Sequence, residues 1–197
     1  MKKVEFWFSI GSTYTFLTVM RIRDLASSAG IDVVWRPFSV RRIMQQSGNV
    51  PFVGKPAKLR YMWRDIERRA AGYGLPVDVP APYPLENFDL DNRVATVAAE
   101  EGWCPALTTA FYREWFQAGP SDRREPEIAG AIGAAGHTPG RVLSLAESDA
   151  TGDRYSQATD AAERHGIFGS PSFVTADGEL FWGDDRLEAA LSWAVGP

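Results

Sequence analysis

Strand-forming sequence is confined to the two ends of this 197-residue chain, and that distribution constrains the fold more than any other feature. Near the N-terminus, Val4-Glu5-Phe6-Trp7-Phe8-Ser9 is aromatic and β-prone and reads as a central strand. Ile31-Asp32-Val33-Val34-Trp35-Arg36 reads as a second strand, stopped by Pro37. Between them, Phe16, Leu17, Met20, Ile22 and Leu25 fall at helical spacing from Thr13 to Ala29, and Gly30 ends the run. Ser12 therefore lies at or next to a helix N-cap. Strand, helix, strand predicts a right-handed βαβ unit with parallel strands. At the other end, Ser172-Phe173-Val174-Thr175 and Glu179-Leu180-Phe181-Trp182 flank the turn signal Ala176-Asp177-Gly178 and predict a hairpin. Pro171 stands just before the first of these strands, where its missing N–H costs no ladder bond. Gly183-Asp184-Asp185-Arg186 opens a last helix, Leu187 to Ala194, with two acids in its first turn.

From Pro37 to about Ala150 no comparable strand signal appears. Lys58 to Tyr73 carries an apolar stripe at Leu59, Met62, Trp63, Ile66 and Ala70; further helices are predicted over Leu90 to Gly102, Pro105 to Ala118, Glu125 to Ala135 and Gly140 to Ser148. The Pro-rich Leu75–Pro84 stretch reads as a linker, and a helix from about Asp153 to His165 returns to the hairpin. The expected architecture is α/β, with residues 1–36 and 150–197 forming one domain and residues 37–149 an all-helical insertion. A Ser-Pro bond entering an edge strand, a hairpin and a closing helix suggest the C-terminal half of a thioredoxin-like fold. In that fold the proline is cis, and the residue before it offers its backbone N–H and C=O to an extended peptide. The other reading is a trans loop proline that merely precedes a strand.

Composition excludes several classes. With 45% hydrophobic and 12% aromatic residues the chain can bury a substantial core. A formal charge of −4, a pI near 5.3 and no basic run interleaved with aromatics argue against a nucleic-acid partner. Met1-Lys2-Lys3 is followed at once by Glu5 and too short an apolar run for a signal peptide, and no window approaches a membrane span, so a cytoplasmic protein without a membrane partner is expected. The single cysteine, Cys104, rules out an intrachain disulfide, a Cys-x-x-Cys redox pair and a cysteine zinc site; with only His137 and His165, no metal site is expected. Cys104 itself, at Trp103-Cys104-Pro105, reads as a small buried residue.

The reactive position of a thioredoxin-like scaffold is the N-terminus of its first helix. Here it reads Ser12-Thr13-Tyr14-Thr15, hydroxyls where a redox protein has thiols. Unsatisfied N–H groups and roughly half a positive charge at a helix start stabilise an anion, and Ser12 can donate its O–H to the same anion. With no protein thiol available, the natural anion is a ligand thiolate. Ser12 as a helix cap and Tyr14 as packing remain the alternatives to chemical roles.

Phe8-Ser9-Ile10-Gly11-Ser12-Thr13-Tyr14-Thr15-Phe16-Leu17 resembles the Ser-Pro-Tyr-Ser-Tyr-Leu signature of 2-hydroxychromene-2-carboxylate isomerases and kappa-class glutathione transferases. Gly48-Asn49-Val50-Pro51, then Lys58 and Tyr61-Met62-Trp63-Arg64-Asp65, is similar to their second signature; Gly169-Ser170-Pro171-Ser172-Phe173 and Phe181-Trp182-Gly183-Asp184-Asp185-Arg186 resemble the third and fourth. The resemblance covers essentially the whole chain and implies a glutathione site. By it, Ser12 would activate the glutathione sulfur, Asn49 and Lys58 would contact the tripeptide, and Ser170, before Pro171, would pair with the cysteinyl backbone. Asp184, through N–H groups, and Asp185, through its carboxylate, would hold the γ-glutamyl end. Two positions depart from the pattern: Thr13 stands where Pro is usual, and Asp184 where Ser is common, so the Asp184 side chain must point away from a bound carboxylate.

The activity so implied is cis–trans isomerisation of a small aromatic-catabolic carboxylate through reversible thiolate addition, with glutathione unconsumed. Arg41, Arg42 and Lys58 are candidate partners for the substrate carboxylate by charge, and Trp63, Trp115 and Phe116 candidate pocket walls, with solvation and core packing as the plainer readings. Glutathione conjugation and a non-catalytic peptide-binding module are the competing functions; a homodimer is implied by the resemblance alone.

Overall fold

The computed structural model describes residues 2–49, 52, 54–119 and 126–196. Its one sheet is assembled from both chain ends, as the strand signals require. Strands β1 (Lys2–Phe8), β2 (Ile31–Pro37), β3 (Ser172–Thr175) and β4 (Leu180–Trp182) lie in the order β2-β1-β3-β4. β1 pairs parallel to β2 and antiparallel to β3, which pairs antiparallel to β4. The first helix, α1 (Thr13–Ser28), makes the βαβ crossover. One expectation is corrected: β3 is interior and β4 forms the edge, so Pro171 precedes an inner strand. That is tolerated because Pro171 stands outside the ladder, where its carbonyl still accepts from the Gly183 N–H at 2.9 Å.

Alternation along β1 sorts two cores. Val4, Phe6 and Phe8 face one side with Phe173, Leu187 and Ala190; Trp7 faces the other with Val174, Phe38 and Ala162. Among the described residues between β2 and β3 the chain is helical: α2 (Val40–Gln46), α3 (Pro56–Gly72), α4 (Phe88–Glu100), α5 (Cys104–Gln117), α6 (Ile128–Ala134), α7 (Pro139–Glu147) and α8 (Asp149–Arg164). The expected start of the fifth helix at Glu125 lies outside the described residues. α2 is a helix the sequence pattern did not disclose; seven residues behind Pro37 are too short to establish a period, and Ser39 caps it by accepting from Arg42 N–H. α8 begins four residues ahead of expectation because Ser148 caps it, accepting from Thr151 N–H, and the chain runs helically through Gly152. A single 3₁₀ turn, Asp184–Arg186, then leads into α9 (Leu187–Val195). No helix among the described residues is long and apolar enough to cross a membrane.

The turn between β1 and α1 is fixed from several elements at once. Asn92 of α4, fully buried, accepts from Ile10 N–H at 2.8 Å and donates to the Ile10 and Phe88 carbonyls at 2.9 and 2.7 Å. Tyr112 of α5 donates toward the Ser12 and Ser9 carbonyls at 3.1 and 3.3 Å. Gly11, at φ +101°, lets the turn pass under the Phe88 ring, which a Cβ would meet at 2.7 Å. Asn92→Ala strands both Ile10 backbone groups in a dry interior, so we expect a loss on the order of 2–4 kcal/mol in urea unfolding at an unchanged m value. A loss no larger than that of an exposed substitution would show that the latch contributes little.

Candidate active site

Ser12 occupies the N-cap position of α1, yet its hydroxyl caps nothing. Its backbone is extended, at φ −83° and ψ 118°, and the side chain makes no bond to the helix. Instead Ser12 Oγ donates to the Ser170 carbonyl at 2.7 Å. The first-turn N–H groups of Thr13, Tyr14 and Thr15 find no acceptor among the described residues, and that turn contains no acid. An uncapped helix start of this kind attracts an anion.

Ser170 is held by its side chain and leaves its backbone to face the site. Its Oγ accepts from Ser9 N–H at 2.9 Å and shares a hydrogen bond with Thr15 Oγ1, also at 2.9 Å. The Ser170–Pro171 peptide is cis. The Ser170 N–H finds no acceptor among the described residues. The structure thus brings the Ser12 hydroxyl, the open end of α1 and a backbone N–H with no acceptor among the described residues to one place, linking Ser12 and Ser170, both singled out from the sequence.

Asp184 and Asp185 separate in role. Asp184 is fully buried, with its carboxylate turned into the protein, and Arg69 of α3 stands 2.7 Å from its Oδ2. The pair lacks hydrogen-bond alignment, so neither Asp184 oxygen has a proper donor. Burial pushes the Asp184 carboxyl up to about 7; Arg69 and then Arg21 pull the other way, and desolvation prevails because the oxygens have no donor. The Asp184 side chain is thus directed into the protein interior. Asp185 remains exposed, with Arg186 at 3.1 Å and Arg69 at 3.9 Å.

Tyr14 donates to Asp65 at 3.0 Å, and burial, reinforced by that carboxylate, raises its phenol further above its ordinary range. It is a poor proton donor at neutral pH. Thr13, where proline was usual, is buried with its hydroxyl against the Met62 sulfur at 3.1 Å, and α1 still begins at Thr13.

The more distant candidates divide. Asn49 and Lys58 are both exposed; Asn49 N–H donates to the Met44 carbonyl at 2.8 Å, and Lys58 Nζ lies 5.6 Å from the Phe52 ring centre. Val50 and Pro51 of the second signature fall outside the described residues. Arg42 is bound to Asp160, Glu163 and Ser156 of α8 at the surface, and Arg41 donates to the Leu85 carbonyl at 2.7 Å against the Phe88 ring, so both guanidinium groups already have partners within the chain. Trp115 and Phe116 are core residues; Trp63 is half-buried between Tyr83 and Phe116. Cys104 is buried with its thiol pushed up by desolvation, which removes it as a nucleophile. Two open clefts, of about 870 and 660 Å³, flank Trp35 and include neither Ser12 nor Ser170.

Sequence reasoning missed Ser9, Thr15, Asn92, Tyr112 and Arg69. An asparagine in the apolar interior of α4 was a readable signal, and a counter-ion for Asp184 could have been sought. The Asp184 carboxyl keeps its proton to higher pH when folded than when unfolded. The folded state therefore binds more protons between about pH 4 and 7, and its stability falls as pH rises through that window. Asp184→Asn should flatten this decline in unfolding measured from pH 4 to 8; an unchanged slope would place its origin elsewhere.

The chain is similar to known proteins over nearly its whole length. The chain is 28% identical over 196 residues to 2-hydroxychromene-2-carboxylate isomerase of Sphingobium xenophagum, covering 98% of each chain. It is 27% identical over 199 residues to glutathione S-transferase kappa 1 of Homo sapiens, covering 95% of this chain and 88% of that one. A solved 2-hydroxychromene-2-carboxylate isomerase superposes with a TM-score of 0.79 at 25% identity, over 94% of this chain and 90% of the other. A probable DsbA oxidoreductase of Streptomyces coelicolor superposes at 0.72 and 21% identity over 100% and 91%, a likeness of fold. Residues 3–192 match the family profile described as the DSBA-like thioredoxin domain, and the chain is a member of that family, with serine at the start of its first helix.

Proposed function

We propose that the protein binds glutathione at the junction of α1 and Ser170 and catalyses cis–trans isomerisation of 2-hydroxychromene-2-carboxylate or a related unsaturated carboxylate. The observation that carries this reading is the Ser12 hydroxyl: at an N-cap position, free of the cap, and 2.7 Å from the carbonyl of the residue before Pro171. The donor set fits a peptide thiol. The uncapped first turn suits a thiolate, the Ser170 N–H suits a peptide carbonyl, and the exposed Asp185 carboxylate suits an ammonium group. Relatives named for the isomerase and for a glutathione transferase add support.

When bound, glutathione supplies a thiolate that can add reversibly to an electron-poor double bond. Around it, Ser12 donates a hydrogen bond to the sulfur, and the α1 N-terminus favours its negative charge. Asp185 holds the γ-glutamyl ammonium, while the turn at Asp184 offers N–H groups to the neighbouring carboxylate. Because Asp184 itself is buried against Arg69, it does not repel that carboxylate as an exposed acid would. Lys58, exposed at the start of α3, takes the glycyl or the substrate carboxylate, and Asn49 contacts the tripeptide.

Calorimetry with glutathione tests the ligand, and Asp185→Ala should weaken binding by on the order of 2 kcal/mol. Unchanged affinity in that variant would remove Asp185 from the site. Ser12→Ala should raise the bound thiol's pKa by roughly one to two pH units, since a hydrogen bond to a charged group is worth ~1.5–3 kcal/mol. Thiolate absorbance titrated at saturating glutathione reads this directly, and superimposable curves would leave Ser12 as structure only. Product analysis separates the reactions: an undiminished glutathione pool during turnover marks isomerisation, stoichiometric consumption marks conjugation.

A further inference from the structure

We propose that the Ser12 proton is exchanged between the Ser170 carbonyl and the ligand sulfur, so that the site activates thiols carrying a peptide N–H in preference to thiols without one. The proposal rests on the reading that a peptide thiol binds here. It concerns which thiols the same residues can activate.

A serine hydroxyl has one proton, and here it is committed. The 2.7 Å separation from the Ser170 carbonyl oxygen is the optimum for an O–H···O bond. No competing bond to α1 claims the side chain. To donate to a sulfur, Ser12 must therefore release that carbonyl. The carbonyl belongs to a half-buried residue, and a polar group left bare there carries a desolvation cost. Ser170 cannot swing away in response, because its own hydroxyl is tied to Ser9 N–H and Thr15 Oγ1.

An extended peptide lying along Ser170 removes the cost. The unpaired Ser170 N–H and the Ser170 C=O are the two backbone groups that such a peptide would use. Its N–H can satisfy the carbonyl as Ser12 departs, so the number of hydrogen bonds is conserved while one of them becomes charge-assisted at the sulfur. The carbonyl has two lone pairs and can accept both donors briefly, which eases the exchange; the hydroxyl still has only one proton to give. A thiol with no N–H in that place offers no replacement. Ser12 then either stays on Ser170 or strands the carbonyl, and the sulfur loses most of the benefit. One hydroxyl thereby reads the ligand backbone and tunes the ligand thiol.

The test pairs two ligands with two proteins. One ligand is glutathione; the other is its analogue with an ester in place of the γ-glutamyl–cysteinyl amide, which lacks only that N–H. Each bound thiol is titrated by thiolate absorbance at saturating ligand, confirmed by calorimetry, and referred to the same thiol free in solution. In wild type we expect the pKa depression to be larger for glutathione than for the ester by about one pH unit. In Ser12→Ala that difference should vanish. Ser12→Thr, which keeps a hydroxyl, should restore part of it, a recovery that a purely structural role would not give. Equal depression for both ligands in wild type, lost equally in Ser12→Ala, would overturn the exchange and leave the glutathione site standing. Absence of glutathione binding to wild type would overturn the site and the exchange together.

Discussion

The contact on which the site depends is the Ser170 hydroxyl bridging Ser9 N–H and Thr15 Oγ1, because it joins two ends of the chain that the sheet alone brings only roughly together. β1 and β3 pair from Val4 to Trp7 and from Ser172 to Thr175, so the ladder stops short of both Ser9 and Ser170. Beyond the ladder, backbone pairing no longer sets distances, and side chains must do so. Ser170 does this from the loop before β3, Asn92 from α4 and Tyr112 from α5. Each contributes a bond to the turn that aims α1. The fold therefore fixes the position of the Ser12 hydroxyl through polar contacts made at the end of the sheet, where water would otherwise compete.

Charge at the turn before α9 is arranged by burial as much as by sequence. Two consecutive acids open the turn before α9, and if both faced outward they would oppose any anionic group docking at its N–H groups. Asp184 is instead withdrawn to 0% exposure, where Arg69 and Arg21 offset it and desolvation favours its neutral form. Arg21 is itself tied to Glu188 and stacks on Tyr73. Asp185 alone is presented to solvent. A sequence with two acids thus presents only one of them, Asp185, at the surface.

Local patterns in the chain disclosed what local physics determines. The βαβ unit, the hairpin and its turn, the closing helix and the helical middle follow from period, propensity and turn chemistry, and Ser12, Ser170 and Asp184-Asp185 stood out by their places relative to those elements. What stayed hidden depends on partners far away in the chain. That β3 is interior is decided by β4 pairing outside it. Arg69 looks like one more cation on an amphipathic helix until Asp184 is placed beside it. Asn92 looks like a weak helix former until the Ile10 backbone appears opposite, and Arg42 looks solvated until α8 delivers Asp160 and Glu163. These are the polar, non-local bonds, and periodicity carries no information about them.

A helix start that carries a serine hydroxyl in place of a thiol can do different work. A protein thiolate at that place would itself be the anion that the first turn stabilises, and would fill the electrostatic role permanently. A serine hydroxyl is neutral at every relevant pH, so the first turn of α1 keeps its capacity for a negative group from outside, while the hydroxyl adds a donor that a thiolate lacks. Cys104, buried at the start of α5 with its thiol pushed up by burial, cannot substitute. With a neutral donor in place of a resident anion, the first turn of α1 stays open to a negative group, and the proposed thiol chemistry rests on that opening.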